Sequence, residues 1–181
     1  MLNMLNAKCK RNAFAWCIVQ CALCISPVVA RAEIIDRVLA VVGGVVITQS
    51  DVTAAVDLGL ASPGQTGDPL AAVLSQWIDR QLMLAEVERY APPEPAPEAL
   101  ARAAAAVRAR FVSEQAFSAA LARSGLDAPR LRQLLRDQLR IDAYLDQRFN
   151  ATPDRRPALI SEWLSGLRRR ADINYLYLQR R

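Results

Sequence analysis

The sequence predicts a mainly helical domain closed by a small antiparallel β-sheet. Through most of the chain beyond residue 50, apolar residues recur at three- and four-residue spacings, the mark of helices with one buried stripe. Before that point, two β-branched runs meet at Gly43-Gly44, the signature of a tight hairpin. Far downstream, Ile173 to Leu178 reads as a lone strand, aromatic and β-branched. A hairpin is only marginally stable by itself. The economical arrangement pairs the last strand with the hairpin, so that one sheet holds both ends of the domain against the helices.

The first 32 residues are expected to be removed. Lys8, Lys10 and Arg11 precede an apolar run from Ala13 to Ala30, broken only by Gln20, Ser26 and Pro27. Ala30-Arg31-Ala32 then supplies the small-x-small pattern of a signal peptidase site, with cleavage after Ala32. A membrane anchor is the rival reading. The run is near the minimum length for a span, and Pro27 shortens its uninterrupted part. No stable membrane anchor is therefore expected after cleavage, and the product is expected in the periplasm. Leu23 before Cys24 and Gln20 before Cys21 argue against a lipid-modified cysteine.

Cleavage changes the chemistry available. All four cysteines (Cys9, Cys17, Cys21, Cys24) leave with the signal, and the chain has no histidine. Both lysines leave as well. Residues 33–181 then lack the usual nucleophile–base pairs and the soft metal ligands, so no catalytic residue, metal or cofactor is expected. Losing Lys8, Lys10, Arg11 and Arg31 takes the net charge from +5 to +1. A nearly neutral domain is poorly suited to nucleic acid, which demands many phosphate neutralisations. The remaining length suits one domain with its own core.

The elements follow in order. Ile34 to Val42 and Val45 to Ile47 form the hairpin. Thr48 or Ser50 caps a helix starting near Asp51, with Val52, Val56 and Leu60 inward. Ser62 to Gly67 is a loop, after which Asp68-Pro69 restarts helix. That helix runs to about Tyr90, burying Leu70, Val73, Leu74, Trp77, Ile78, Leu82 and Leu84. Pro92 to Pro97 is a stiff, non-helical connector. Glu98 to Phe111 is an alanine-rich helix, with Leu100, Val107 and Phe111 inward. Ser113 caps a short helix carrying Phe117 and Leu121, which ends at Gly125. Asp127-Ala128-Pro129 begins a long helix to about Phe149, with Leu131, Leu134, Leu135, Leu145 and Phe149 inward and Leu139 and Ile141 beside them. Thr152 to Pro157 breaks the chain. A final helix buries Leu159, Ile160, Trp163, Leu164 and Leu167.

Charged patterns read as solvated surface. Asp142 with Asp146, and Glu86 beside Glu88, are helix-face carboxylates. Arg132, Arg136 and Arg140 form one basic stripe, paired to neighbouring acids such as Asp137. Arg168-Arg169-Arg170 complements a helix C-terminus. The candidate peptide-binding residues are Trp77, Met83, Tyr90, Phe111, Phe117 and Tyr144. Together with Trp163 they sit on several helices and as a set would line a groove between them.

The stretch from Ile34 to Val52, with Asp36, Ala40, Val42, Gly43-Gly44 and Ser50-Asp51-Val52, resembles the N-terminal signature of SurA-type periplasmic chaperones. Phe117, Leu121 and Gly125-Leu126, followed by Leu135-Arg136, Leu139-Arg140 and Phe149, are similar to the next segment of that family. Trp163-Leu164 and Leu167 ahead of a final strand are similar to its closing segment. The resemblance covers essentially all of residues 33–181. It implies a helical chaperone domain of the SurA N-terminal and trigger-factor C-terminal kind, binding unfolded polypeptides, outer-membrane proteins among them. Family members carry parvulin prolyl isomerase domains between the long helix and the last one. Here Asn150 to Pro157 occupies that position and is too short for one, so isomerase activity is not expected. The alternative expectation is a dedicated subunit or adaptor for one specific secreted partner.

Overall fold

In a computed structural model of the chain, residues 36–64 and 67–176 are described. The expected signal segment with its four cysteines, Ile34-Ile35 and the end of the last strand at Tyr177-Leu178 lie outside them. The architecture is mainly helical, with a three-stranded antiparallel sheet.

β1 (Val38–Val42) and β2 (Val45–Thr48) form the hairpin, and β3 (Ile173–Tyr175) adds to the other edge of β1. Gly43 and Gly44 both have positive φ, 55° and 85°. A two-residue turn that matches strand twist needs that backbone, and glycine adopts it without a Cβ penalty. The register slips between Val38 and Ala40, leaving Leu39 as an extra residue. Such a bulge breaks the strict alternation of faces, which is why consecutive Leu39 and Ala40 are both fully buried. On the other side Ala40 faces Tyr175, Val41 faces Asn174 and Val42 faces Ile173. Leu176 extends the pairing by donating its N–H to the Leu39 carbonyl at 2.9 Å. The ends of the domain thus meet in one sheet.

The helices are α1 (Gln49–Asp57), α2 (Pro69–Tyr90), α3 (Pro97–Arg108), α4 (Glu114–Arg123), α5 (Ala128–Arg148) and α6 (Arg156–Arg170). Their starts follow local capping chemistry. Thr48 and Asp51 form a reciprocal capping box: the Asp51 carboxylate accepts the Thr48 N–H at 3.0 Å, and Thr48 Oγ1 accepts the Asp51 N–H at 3.3 Å. Asp68, Ser113 and Asp127 each accept a free N–H at the head of α2, α4 and α5.

Three apolar clusters make the core. The first joins the inner face of the sheet to α1, α2 and α6 through Leu39, Ile47, Val52, Trp77, Ile78 and Leu167. The second lies among α3, α4 and α5 around Val107, Phe117, Leu121 and Leu131. The third, smaller, sits where α2 and α5 end, on Val87, Ile141 and Tyr144.

Several expectations are corrected. α1 buries Val52, Ala54 and Ala55, whereas Val56 is 38% exposed, because packing against the neighbouring elements sets the rotation of so short a helix. Pro97 and Pro157 are not breaks; they occupy the first turns of α3 and α6, where the missing N–H is not required. The alanine-rich helix stops at Arg108, leaving Phe111 in a following turn and half-buried. Leu84, Leu139, Leu145 and Phe149 are half-buried at the edge of the long helices' packed faces, and Leu159 is exposed.

Candidate functional site

The six candidate binding residues fall in three places rather than one groove. Trp77, on α2, is 5% exposed in the main core, with the Arg80 guanidinium 5.1 Å from its ring. Phe111 and Phe117 meet edge-on at 5.5 Å in the second cluster, with Arg108 over Phe117. Met83, Tyr90 and Tyr144 converge on the third cluster.

That third cluster is the candidate site, because there the aromatic surface stays partly open. Tyr90 ends α2 and is 61% exposed. The next residue, Ala91, holds a left-handed backbone with φ 41°, uncommon for a residue with a Cβ, and there the chain turns out of the helix. Tyr144, one turn from the end of α5, lies 5.5 Å from the Tyr90 ring. Trp163 of α6 lies 6.0 Å from Tyr144, and Phe149 lies 5.4 Å from Trp163. The four rings form a continuous tilted ladder, and pairs at these separations gain energy beyond the area they bury. Burial pushes the Tyr144 hydroxyl above the usual phenol pKa, and Arg148 pulls in the opposite direction. The Arg148 guanidinium lies 5.7–5.9 Å from the Tyr144, Phe149 and Trp163 rings. Trp163 was expected both in the core of its helix and among the aromatics that could line a groove, whereas Phe149, which also belongs to the site, was expected only as inward-facing core. Helix spacing reveals a buried stripe, but not which helix ends will meet.

An open groove of about 890 Å3, lined by none of the four ladder rings, runs between α6, the α5–α6 connector and Asp79 of α2. Pro153, Pro157, Ile160 and Leu164 give it apolar wall, and Arg156 and Arg168 also border it. Arg168 was expected only to complement the end of its helix. It bonds across to α2 instead, donating Nε to Asp79 at 2.5 Å and NH2 to the Ser75 hydroxyl at 2.7 Å and carbonyl at 3.0 Å. The Asp79 hydrogen bond raises its already high pKa.

The basic stripe on α5 has a different partner from the one expected. Arg136 makes a forked pair with Glu94 of the proline connector, at 2.6 and 2.7 Å. Arg140 approaches the same carboxylate at 4.0 Å, while Arg132 is exposed. Asp137 is buried and faces Arg80 at 3.9 Å, with Gln133 donating to it at 2.9 Å. Arg80 also donates to the Leu134 carbonyl at 2.9 Å. Burial lowers the Arg80 pKa, and Asp137 opposes that shift. This pair joins α2 to α5 beneath the site. Arg80 carried no signal in the sequence, since its partner is remote.

The helix-face carboxylates do not converge on a cavity as an acid–base pair. Asp142 accepts from Gln138 at 3.0 Å, and Asp146 pairs with Arg156. Among the described residues, no set of three or more acidic, histidine or cysteine side chains is placed to hold a metal ion. No described helix is long and apolar enough to cross a membrane. Comparison with protein-family models and with curated proteins finds no match for the chain.

Proposed function

We propose that this chain is a secreted, non-enzymatic holding domain for unfolded polypeptides, working in the periplasm in the manner of SurA-type chaperones without an isomerase domain. The observation that carries the reading is the aromatic ladder at the junction of α2, α5 and α6, open at Tyr90. An exposed aromatic ring held rigid by buried and half-buried neighbours suits a surface that captures apolar segments of many sequences, because it loses little freedom on binding. A holding function requires neither nucleotide nor metal. The apolar leader ending at Ala30-Arg31-Ala32 supports export.

The purified chain should slow the aggregation of a denatured outer-membrane β-barrel protein diluted from urea, at near-stoichiometric ratio and read by light scattering. Tyr90→Ala should weaken this protection while leaving the circular dichroism spectrum unchanged. Unaltered aggregation at several-fold excess of the chain would refute the proposal.

A further inference from the structure

Resting on the holding function above, we infer that the α2–α5–α6 site selects extended segments in which an aromatic side chain stands two residues from an acidic one. The argument begins with Arg148. Its guanidinium lies over three aromatic rings. Among the described residues no carboxylate comes within ion-pair distance of it, although seven other ion pairs are formed there. Glu86 of α2, which also acts on Tyr144, pairs with Arg89 at 2.9 Å. Arg148 therefore brings to the open aromatic surface a positive charge with no ion-pair partner among the described residues. A cation set over ring faces keeps its N–H edge for an anion, and a guanidinium matches a carboxylate with two parallel hydrogen bonds.

The spacing follows from the same contacts. Tyr90, the exposed ring, is 5.5 Å from Tyr144, and Arg148 is 5.9 Å from Tyr144. The Tyr90 ring and the Arg148 cation are thus separated by no more than about 11 Å. In an extended chain, side chains two residues apart share one face at roughly 7 Å, a separation that lies within this bound. One residue stacks on Tyr90 while the other meets Arg148. The occupant is a passing segment of an unfolded chain with a side-chain carboxylate. The test makes a plain apolar segment its other outcome.

Isothermal titration calorimetry of the purified chain with two soluble, unstructured peptides tests this. One peptide carries Tyr-Gly-Asp and the other Tyr-Gly-Asn in the same surroundings. The acidic peptide should bind about three- to fivefold more tightly, the scale of an exposed charge pair, and the margin should shrink at high salt. Arg148→Gln should bring the two peptides to equal affinity; Arg148→Lys should retain part of the difference. Tyr90→Ala should weaken both peptides by the same factor. Equal binding of the two peptides overturns the inference and leaves the holding function standing. So does Arg148→Gln weakening both alike, because the arginine would then act by packing alone. If neither peptide binds but aggregation is still suppressed, the clients bind elsewhere and the inference falls. If neither peptide binds and aggregation proceeds unchecked, the holding function fails with it.

Discussion

Asp137 and Arg80 show how much one buried carboxylate can decide. Both side chains are almost fully withdrawn from water, and each depends on the other and on Gln133 or the Leu134 carbonyl for its remaining hydrogen bonds. Removing one partner leaves a desolvated charge, which costs about 3–5 kcal/mol, whereas replacing both with apolar groups of similar volume is often neutral. Asp137→Ala should therefore lower the stability in urea by about 3 kcal/mol or more. The double substitution Arg80→Met with Asp137→Leu should recover most of that loss. If the double variant is no more stable than Asp137→Ala, the site needs the charges themselves. Nothing in the sequence singles out this pair. Asp137 stands among surface-like arginines on α5, and only the crossing of α2 over α5 turns it inward.

Among the elements, the four helix starts with a side-chain cap were readable, those of α3 and α6 were not, and helix contacts were not. Capping is a bargain between neighbours, so Thr48, Asp68-Pro69, Ser113 and Asp127-Ala128-Pro129 announce their helices within four residues. The hairpin was equally plain, because Gly43-Gly44 fixes its turn. The rotation of α1, the docking of Glu94 on Arg136 and the meeting of Tyr90 with Tyr144 all depend on residues remote in sequence. Half of the candidate binding set consequently landed in the open site, and the rest in closed packing. A tether ahead of β1 adds a pH-sensitive joint: Asp36 accepts the Ser50 N–H at 3.1 Å and its hydroxyl as well. Burial would raise the Asp36 pKa, but the hydrogen bonds from Ser50 and Thr48 together outweigh it and leave the value lowered. A carboxylate whose folded value is depressed adds stability above its unfolded pKa of about 4 and loses it as pH falls through the folded value. Asp36→Asn should therefore lower the melting temperature at pH 7, and the gap from the parent chain should close below about pH 4. A constant gap across that range would mean that the charge is irrelevant to the tether.

For the molecule as a whole, the sheet is the clasp. Its order β2-β1-β3 places the element latest in sequence against the earliest, and β1 has a partner on each side. Ending the chain before Ile173 would strip β3 away and leave one edge of β1 with free N–H and C=O groups, a template for pairing with other chains. Such a truncation should melt at a lower temperature and broaden its transition by calorimetry, with oligomers appearing by size-exclusion chromatography. A truncated chain that melts like the parent would show that the helices hold themselves together. Finally, a sheet sealed by β3 cannot be completed until that strand has been made. Until Ile173–Tyr175 has been made, the hairpin stands beside an empty slot, so the slowest contact to form in the sheet is also the one that spans the greatest length of chain.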